Sequence, residues 1–241
     1  MSGPRFVSDT RLRQIEAAEV RHLGLYGGEV AQFGTVQAVA AGAGLPVSMA
    51  SGFGRALHGL DQVEAFYLAR GLPSRLVVYS HFTDWAALAG RGYRLTQLLH
   101  VHARPLTGLP DLQAMTVRPS APAEFAALTS RAFGPGSEAI MARTARRPVT
   151  WFLAAELAGE PVAAGAMSVF GDVAWLFSTA TLPAFRGRGA QAALLAARLH
   201  RARQEGAGLA AVLTTPGSAS ERNVQRAGFV QVGARLSLER P

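Results

Sequence analysis

Residues 181–199 read TLPAFRGRGAQAALLAARL. An extended, β-like run passes through Pro183 into a loop of two arginines and two glycines, then into an Ala/Leu run of helical character. Proline biases the preceding Leu182 toward an extended backbone and helps end the strand. A helix start leaves unsatisfied N–H groups and carries partial positive charge. Arg186, Gly187, Arg188, Gly189 and Ala190 sit at that start. Glycines let the backbone approach a ligand closely, and arginines add charge-assisted hydrogen bonds, so the loop suits a diphosphate. It lacks both the Gly-Lys-Ser/Thr of a Walker loop and the three-glycine spacing of a dinucleotide fingerprint. The plainer alternative is a tight turn on a basic surface.

Working outward, three strand-like runs precede the loop: TWFLAAEL, PVAAGAMSVF and AWLFSTATL. Gly159-Glu160 and Gly171-Asp172 break them, as antiparallel hairpins require. Before them, AMTVRP reads as a strand and APAEFAALTSRAF as a helix, with Ser120 or Ala121 as cap and Pro122 in the first turn. GSEAIMARTARR reads as a second helix. After the loop come LAAVLTT (strand), SASERNVQRAGF (helix) and VQVGARLSL (strand).

The chain has 241 residues, enough for one large or two small cores. Its 49% hydrophobic and 17% charged content is globular. Cysteine is absent, which excludes disulfides, thiolate metal sites and Cys nucleophiles. No apolar run reaches transmembrane length, and the start MSGPRFVSDTRLRQ lacks a signal-peptide core, so a cytoplasmic location without membrane contact is expected. All 24 basic residues are Arg and the net charge is +8. That charge favours anionic ligands and excludes a lysine base. The arginines are dispersed with no stacking aromatics, so no nucleic-acid partner is expected despite the pI of about 11.2.

The first half reads as a helix from Asp9 to Leu23, then short strands in VQAVAAG, LPVSMAS and GFGRALHG. DQVEAFYLARG (helix), RLVVYS (strand), FTDWAALAGRGY (helix) and YRLTQLLHVHARPL (strand) follow. The stretch GLPSRLVVYSHFTDWAALAGRGYRLTQLLHV rhymes with GAGLAAVLTTPGSASERNVQRAGFVQVGARLSL, which suggests a duplicated α/β unit. TGLPDLQ, residues 107–113, is the expected linker. It places one domain at residues 1–106 and a second at 112–241.

From Met115 onward the order of elements, with Arg186-Gly187-Arg188-Gly189-Ala190-Gln191, resembles the GNAT superfamily of N-acetyltransferases. The family pattern is Arg/Gln-x-x-Gly-x-Gly/Ala; Gln191 departs from it at the last position. SASERNVQRAGF resembles the family's second acyl-CoA segment, a helix ending in Gly-Phe. The resemblance implies a mixed α/β fold of two GNAT-like units. Each would have a mostly antiparallel twisted sheet flanked by helices, with central parallel strands that splay. It also implies acetyl-CoA as cosubstrate. Ala180, Thr181 and Leu182 would meet pantetheine, Arg186 through Gln191 the pyrophosphate, and Ser220 and Asn223 the remainder. The first half looks like a degenerate copy, without the Arg-x-x-Gly-x-Gly spacing.

The reaction so implied is attack of a primary amine, on a small molecule or peptide, at the acetyl thioester, in a monomer or homodimer. A backbone N–H near Thr181–Leu182 would stabilise the oxyanion. An amine needs a base and the leaving thiolate an acid. Many family members carry Tyr four residues before the Gly of Gly-Phe; here that residue is Val224. The strand AWLFSTATL holds no carboxylate; Glu156 and Asp172 lie nearby and read as surface groups. Ser178, Thr179 and Ser220 could order a water. No catalytic residue is assigned. The alternative is a sensor that binds acyl-CoA without turnover. His100 and His102 share a strand face, too few for a metal site. His200, Arg198, Arg201 and Arg203 read as a basic helix end. Trp151, Trp175, Phe177, Trp85 and Tyr67 read as core.

Overall fold

The computed structural model describes residues 8–42 and 45–241, with Trp85 known by its backbone alone. The leader reading at residues 1–7 and the expected core role of the Trp85 side chain lie outside the described residues. The chain divides into two compact units. One is residues 1–101 with 231–241, the other 102–230.

The first unit opens with α1 (Asp9–Gly24), β1 (Glu29–Phe33), β2 (Val36–Ala40) and β3 (Ala50–Ser51). It continues with α2 (Leu60–Leu68), β4 (Ser74–Tyr79), α3 (Trp85–Gly90) and the start of β5 (Arg94–Pro105). Ser8 caps α1, its hydroxyl accepting the Arg11 N–H. β1 and β2 form a hairpin, β3 pairs antiparallel to β2, and β4 joins β3 in parallel through Ala50 and Leu76. Sequence reasoning missed β1. It also took Gly52–Gly59 for a strand. That stretch is a loop, in which Gly52 (φ 93°), Leu57 (φ 52°) and Gly59 (φ 85°) adopt left-handed conformations that no strand accommodates. The core gathers Val36, Phe53, Val63, Tyr67, Leu76 and Val78. Tyr67 is fully buried, as expected, and its hydroxyl donates to the Val39 carbonyl.

The second unit holds β6 (Thr116–Pro119), α4 (Pro122–Phe133), α5 (Glu138–Ala145), β7 (Trp151–Leu157) and β8 (Glu160–Phe170). Next come β9 (Val173–Thr181), α6 (Ala190–Gln204), β10 (Leu209–Thr214) and α7 (Ala219–Arg226). β11 (Val230–Arg240) follows, and its residues from Gln231 onward count with the first unit, where they pair antiparallel to β4. The compact division therefore differs from the expected boundary at residues 107–113: it falls at Val101/His102 and returns the last strand to the first unit. The chain leaves each Gly-aromatic turn as an extended strand, and composition alone does not choose its neighbour.

In the second unit β6, β7, β8 and β9 pair antiparallel in sequence order, and β10 joins β9 in parallel. Ala158 (φ 51°) and Gly159 (φ 82°) are both left-handed, the two-residue turn that matches strand twist in the β7–β8 hairpin. Buried α4 residues Phe125, Leu128, Thr129 and Ala132 recur at helical spacing, and the Phe125 ring lies 4.5 Å from that of Phe152. α6 buries Leu195, Leu199 and Ala202 against Leu176 and Ala210. Each such leucine contributes about 1.5–3 kcal/mol.

The two halves of the chain share an element order: three antiparallel strands (β1–β3, β7–β9), a helix (α2, α6), a strand parallel to the third (β4, β10), a helix (α3, α7) and an outgoing strand (β5, β11). The copies also share a backbone detail. α2 starts on Gly59 (φ 85°, ψ −1°) and α6 on Gly189 (φ 85°, ψ −5°), and two residues earlier Leu57 and Gly187 are left-handed as well. Among the described residues no helix is long and apolar enough to cross a membrane.

Candidate active site

β9 and β10 pair from Val173↔Leu209 to Leu176↔Val212 and no further, though β9 runs on to Thr181 and β10 to Thr214. The strands therefore splay at their C-terminal ends. The separation has a local cause. On the β8 side, register jumps from Ala166↔Phe177 to Ala164↔Ala180, so Ser178 and Thr179 together oppose Gly165. That bulge places Ser178 at φ 47° and bends the strand.

Beyond the bulge, Leu182 donates its N–H to the Val162 carbonyl at 2.9 Å. Amides alternate between the two edges of a strand, so the Thr181 N–H faces the opposite, open edge. The expectation that Leu182 presents an amide to the cleft is thus corrected: its N–H belongs to the ladder and its side chain is buried. Thr181 is the residue whose amide is free to face a ligand.

After one 3-10 turn at Pro183–Phe185 the chain enters the Arg/Gly loop. Gly187 (φ 78°) and Gly189 (φ 85°) are both left-handed, and a Cβ added at either would meet nothing within 4 Å. Space over the loop is open. No side chain caps α6, so its first amides, from Ala190 onward, point out unsatisfied. A cavity of about 650 Å³ lies over them. It is lined by Thr179, Ala180 and Thr181 on one side and by Arg186, Gly187, Gly189, Ala190 and Gln191 on another. Ser220 and Asn223 close it from α7. Leu182 and Arg188 are absent from this lining. Arg188 is exposed and its guanidinium lies 5.6 Å from the Phe185 ring centroid. Residues that sequence reasoning missed also line it: Ala132, Phe133, Phe185, Ala192, Ser218, Ala219 and Arg226. Ala132 and Phe133 end a helix some fifty positions upstream, a proximity no local pattern reveals.

Gln191, the departure from the family pattern, has a defined role. Its Oε1 accepts from Asn223 Nδ2, and its Nε2 donates to Ser220 Oγ at 3.3 Å. The amide is drawn sideways onto α7, where Arg226 in turn donates to Asn223 Oδ1 at 2.9 Å. Arg186, by contrast, has only long bonds of 3.4 Å to the Thr181 and Ala132 carbonyls. Its guanidinium is only weakly held by the fold.

The region from Ser120 to Phe229 matches the family model of the Acetyltransferase (GNAT) family, residues 120–229. Residues 120–229 are a GNAT acetyltransferase domain. No curated protein matches the chain in sequence. Among solved structures the fold resembles a GCN5-related N-acetyltransferase from Kribbella flavida, with TM-score 0.76 at 18% identity over 95% of each chain. It also resembles a conserved protein of unknown function from Staphylococcus epidermidis, with TM-score 0.63 at 11% identity over 91% of this chain and 96% of that one. A tandem GNAT protein from the clavulanic acid biosynthesis pathway aligns with TM-score 0.57 at 16% identity, over 79% and 72%. These likenesses establish the two-unit GNAT fold.

Within the GNAT domain the carboxylates nearest the reacting strands are bound elsewhere. Arg118 Nε donates to Glu156 at 2.6 Å, and Asp172 accepts the Gly208 N–H at 2.7 Å. The Arg118 guanidinium and Ser120 hydroxyl hold Glu124 down to about 2. Val224 is an apolar core residue. His102 is fully buried, its Nδ1 3.3 Å from Thr214 Oγ1 and its Nε2 3.5 Å from Glu221 Oε1. Glu221 is engaged by the start of α7: its N–H donates to the N-cap Ser218 Oγ, and its carboxylate accepts from the N–H of Gly217, one residue before the cap. Among the described residues no cluster of three ligating side chains forms a metal site. Arg198 is not part of a basic helix end. It is 2% exposed, donating to the Leu194 and Ala166 carbonyls, and burial lowers its pKa to about 9. A Cβ on Gly165 would come within 3.0 Å of the Arg198 guanidinium carbon and 3.1 Å of Thr179 Oγ1, so a larger residue there would have to push these side chains aside. His200 bonds to the Pro110 carbonyl. Trp175 is core, whereas Trp151 and Phe177 are half-buried.

Proposed function

We propose that the protein transfers an acetyl group from acetyl-CoA to a primary amine on a small molecule or peptide. The observation that carries this reading is the junction of the β9–β10 splay with the uncapped start of α6 over one cavity. The residues present fit acetyl-CoA: an open two-glycine cradle, unsatisfied helix amides and an uncommitted arginine suit a diphosphate. Arg186 and the Gly187–Gln191 backbone would hold that group. Ala180, Thr181, Ser220 and Asn223 would line the rest. When bound, acetyl-CoA supplies an activated thioester to the acceptor nitrogen. The chain's part is positioning. The Thr181 amide is turned toward the cleft, where a hydrogen bond from it would favour charge developing on a carbonyl oxygen. Arg198, buried beside the bulge, donates to the Ala166 carbonyl of the neighbouring strand β8.

Replacing Arg186 with Ala removes a charge-assisted contact. Acetyl-CoA should bind about 10- to 100-fold more weakly, with the thermal midpoint of the unliganded protein unchanged. Calorimetric titration of both proteins checks this, and undiminished binding by the variant would remove Arg186 from the site. A second reading, an acyl-CoA-binding sensor without turnover, is favoured by Val224 and by the engagement of Glu156 and Asp172. Thiol release from acetyl-CoA against a broad amine panel separates the two. Tight binding with no release for any amine would select the sensor.

A further inference from the structure

We infer that the cavity beneath α1 in the first unit binds a small molecule carrying a protonated amine and, several atoms away, an anionic group. Glu16 would receive the amine, and Arg13 and Arg21 the anion. The cavity has a volume of about 610 Å³, within the range of small-molecule sites, and lies between α1, the β1–β2 hairpin and Gly52–Gly54.

The polar groups of its wall sort into two sets. Gln32 donates to the Gly34 carbonyl, Thr35 to Gly52 and Gln37 to Val20, so all three are used by the fold. Glu16 is not. It is 8% exposed, and its Oε1 is fully buried with no hydrogen-bond partner among the described residues. Its neighbour on α1, Glu19, makes the contrast plain. Glu19 accepts from the Tyr79 hydroxyl at 2.7 Å and from Arg235 Nε at 2.8 Å, a complete structural pair. A buried carboxylate without such partners is costly, and a ligand cation is the group that would compensate it. At the mouth Arg13 and Arg21 are exposed, the Arg13 guanidinium lying over the Phe82 ring. A carboxylate inside and guanidinium groups outside match a molecule with its ammonium inward and its anion outward. The inference is independent of acetyl transfer, because every residue it uses lies in the first unit.

Burial, reinforced by Glu19 and opposed by Arg13, raises the Glu16 carboxyl to about 7. The Glu16 charge in turn adds to the burial and Glu19 contacts that keep the Tyr79 hydroxyl protonated. Binding a cation requires the ionised form. Affinity should therefore rise roughly tenfold from about pH 6 to about pH 8.

The test uses the full chain and four six-carbon probes: 6-aminohexanoate, norleucine, hexylamine and hexanoate. Thermal midpoint and titration calorimetry should rank 6-aminohexanoate, whose two charges lie several atoms apart, above norleucine and hexylamine, with hexanoate inert. Glu16→Gln, which keeps shape and removes charge, should lose binding at least tenfold while melting cooperatively. Arg21→Ala should reduce 6-aminohexanoate to the level of hexylamine. Hexanoate binding as well as hexylamine, no binding by any probe, or Glu16→Gln binding like wild type would each overturn the assignment.

Discussion

Glu16 and Gln191 show how one side chain's partners decide its meaning. In the sequence Glu16 is one of two glutamates on an amphipathic helix; in the structure its twin is paired and it is not. A carboxyl whose folded pKa is raised contributes its full stability below the unfolded value of 4.5 and loses it as pH rises toward 7. Glu16→Gln should thus leave unliganded stability near wild type at about pH 4. At pH 8 it should gain up to about 3 kcal/mol, read as a pH-dependent difference in thermal midpoint. A constant difference across pH would mean that Glu16 is not desolvated. Gln191 was legible only as a departure from a motif. Its Ser220 and Asn223 bonds could not be anticipated, since they join positions about thirty residues apart.

At the scale of elements, α6 and α7 are joined across the cavity through that glutamine. Gln191→Ala would cut both bonds and leave Ser220 and Asn223 to solvent. Two part-buried hydrogen bonds predict a loss of about 1–2 kcal/mol in stability. Affinity for acetyl-CoA should change severalfold while thiol-release kcat stays near wild type, measured by denaturation and steady-state kinetics. A fall in kcat alone would instead tie Gln191 to chemistry. Most elements of the second unit were legible, because hairpin glycines, a helix-start proline and 3.6-residue periodicity mark their ends. Short β1 was not, the strand read in LPVSMAS narrows to its last two residues as β3, and the Gly52–Gly59 loop passed for a strand because its apolar residues alternate with glycines. The bulge at Ser178–Thr179 left no trace either: its residues continue a β-favouring run.

For the molecule as a whole, the last strand is the element whose allegiance matters. β11 pairs with β4 over six residues, from Arg235↔Tyr79 to Arg240↔Ser74. Leu236→Pro removes one ladder donor opposite Val78, at a hydrogen-bonded position two residues on from the Ala234–Ser80 bond, and strains the strand. Amide exchange should speed up throughout β4, with protection in β7, β8 and β9 kept. Loss of protection confined to β7–β9 would contradict the pairing. The duplication was visible in the order of helices and Gly-aromatic turns. The backbone repeat at Leu57/Gly59 and Gly187/Gly189 extends it to a loop whose side chains no longer resemble each other.

The sequence by itself determined most element types of the second unit, the repeated order of helices and Gly-aromatic turns, the Arg/Gly loop and the segment that matches the GNAT family, since these rest on local periodicity and on residues a few positions apart. Tertiary structure decided which amide faces the cleft, which carboxylates are already paired, where the last strand docks and which glutamate lies buried without a partner. Those answers depend on pairing register and desolvation, which arise only when distant segments exclude water together.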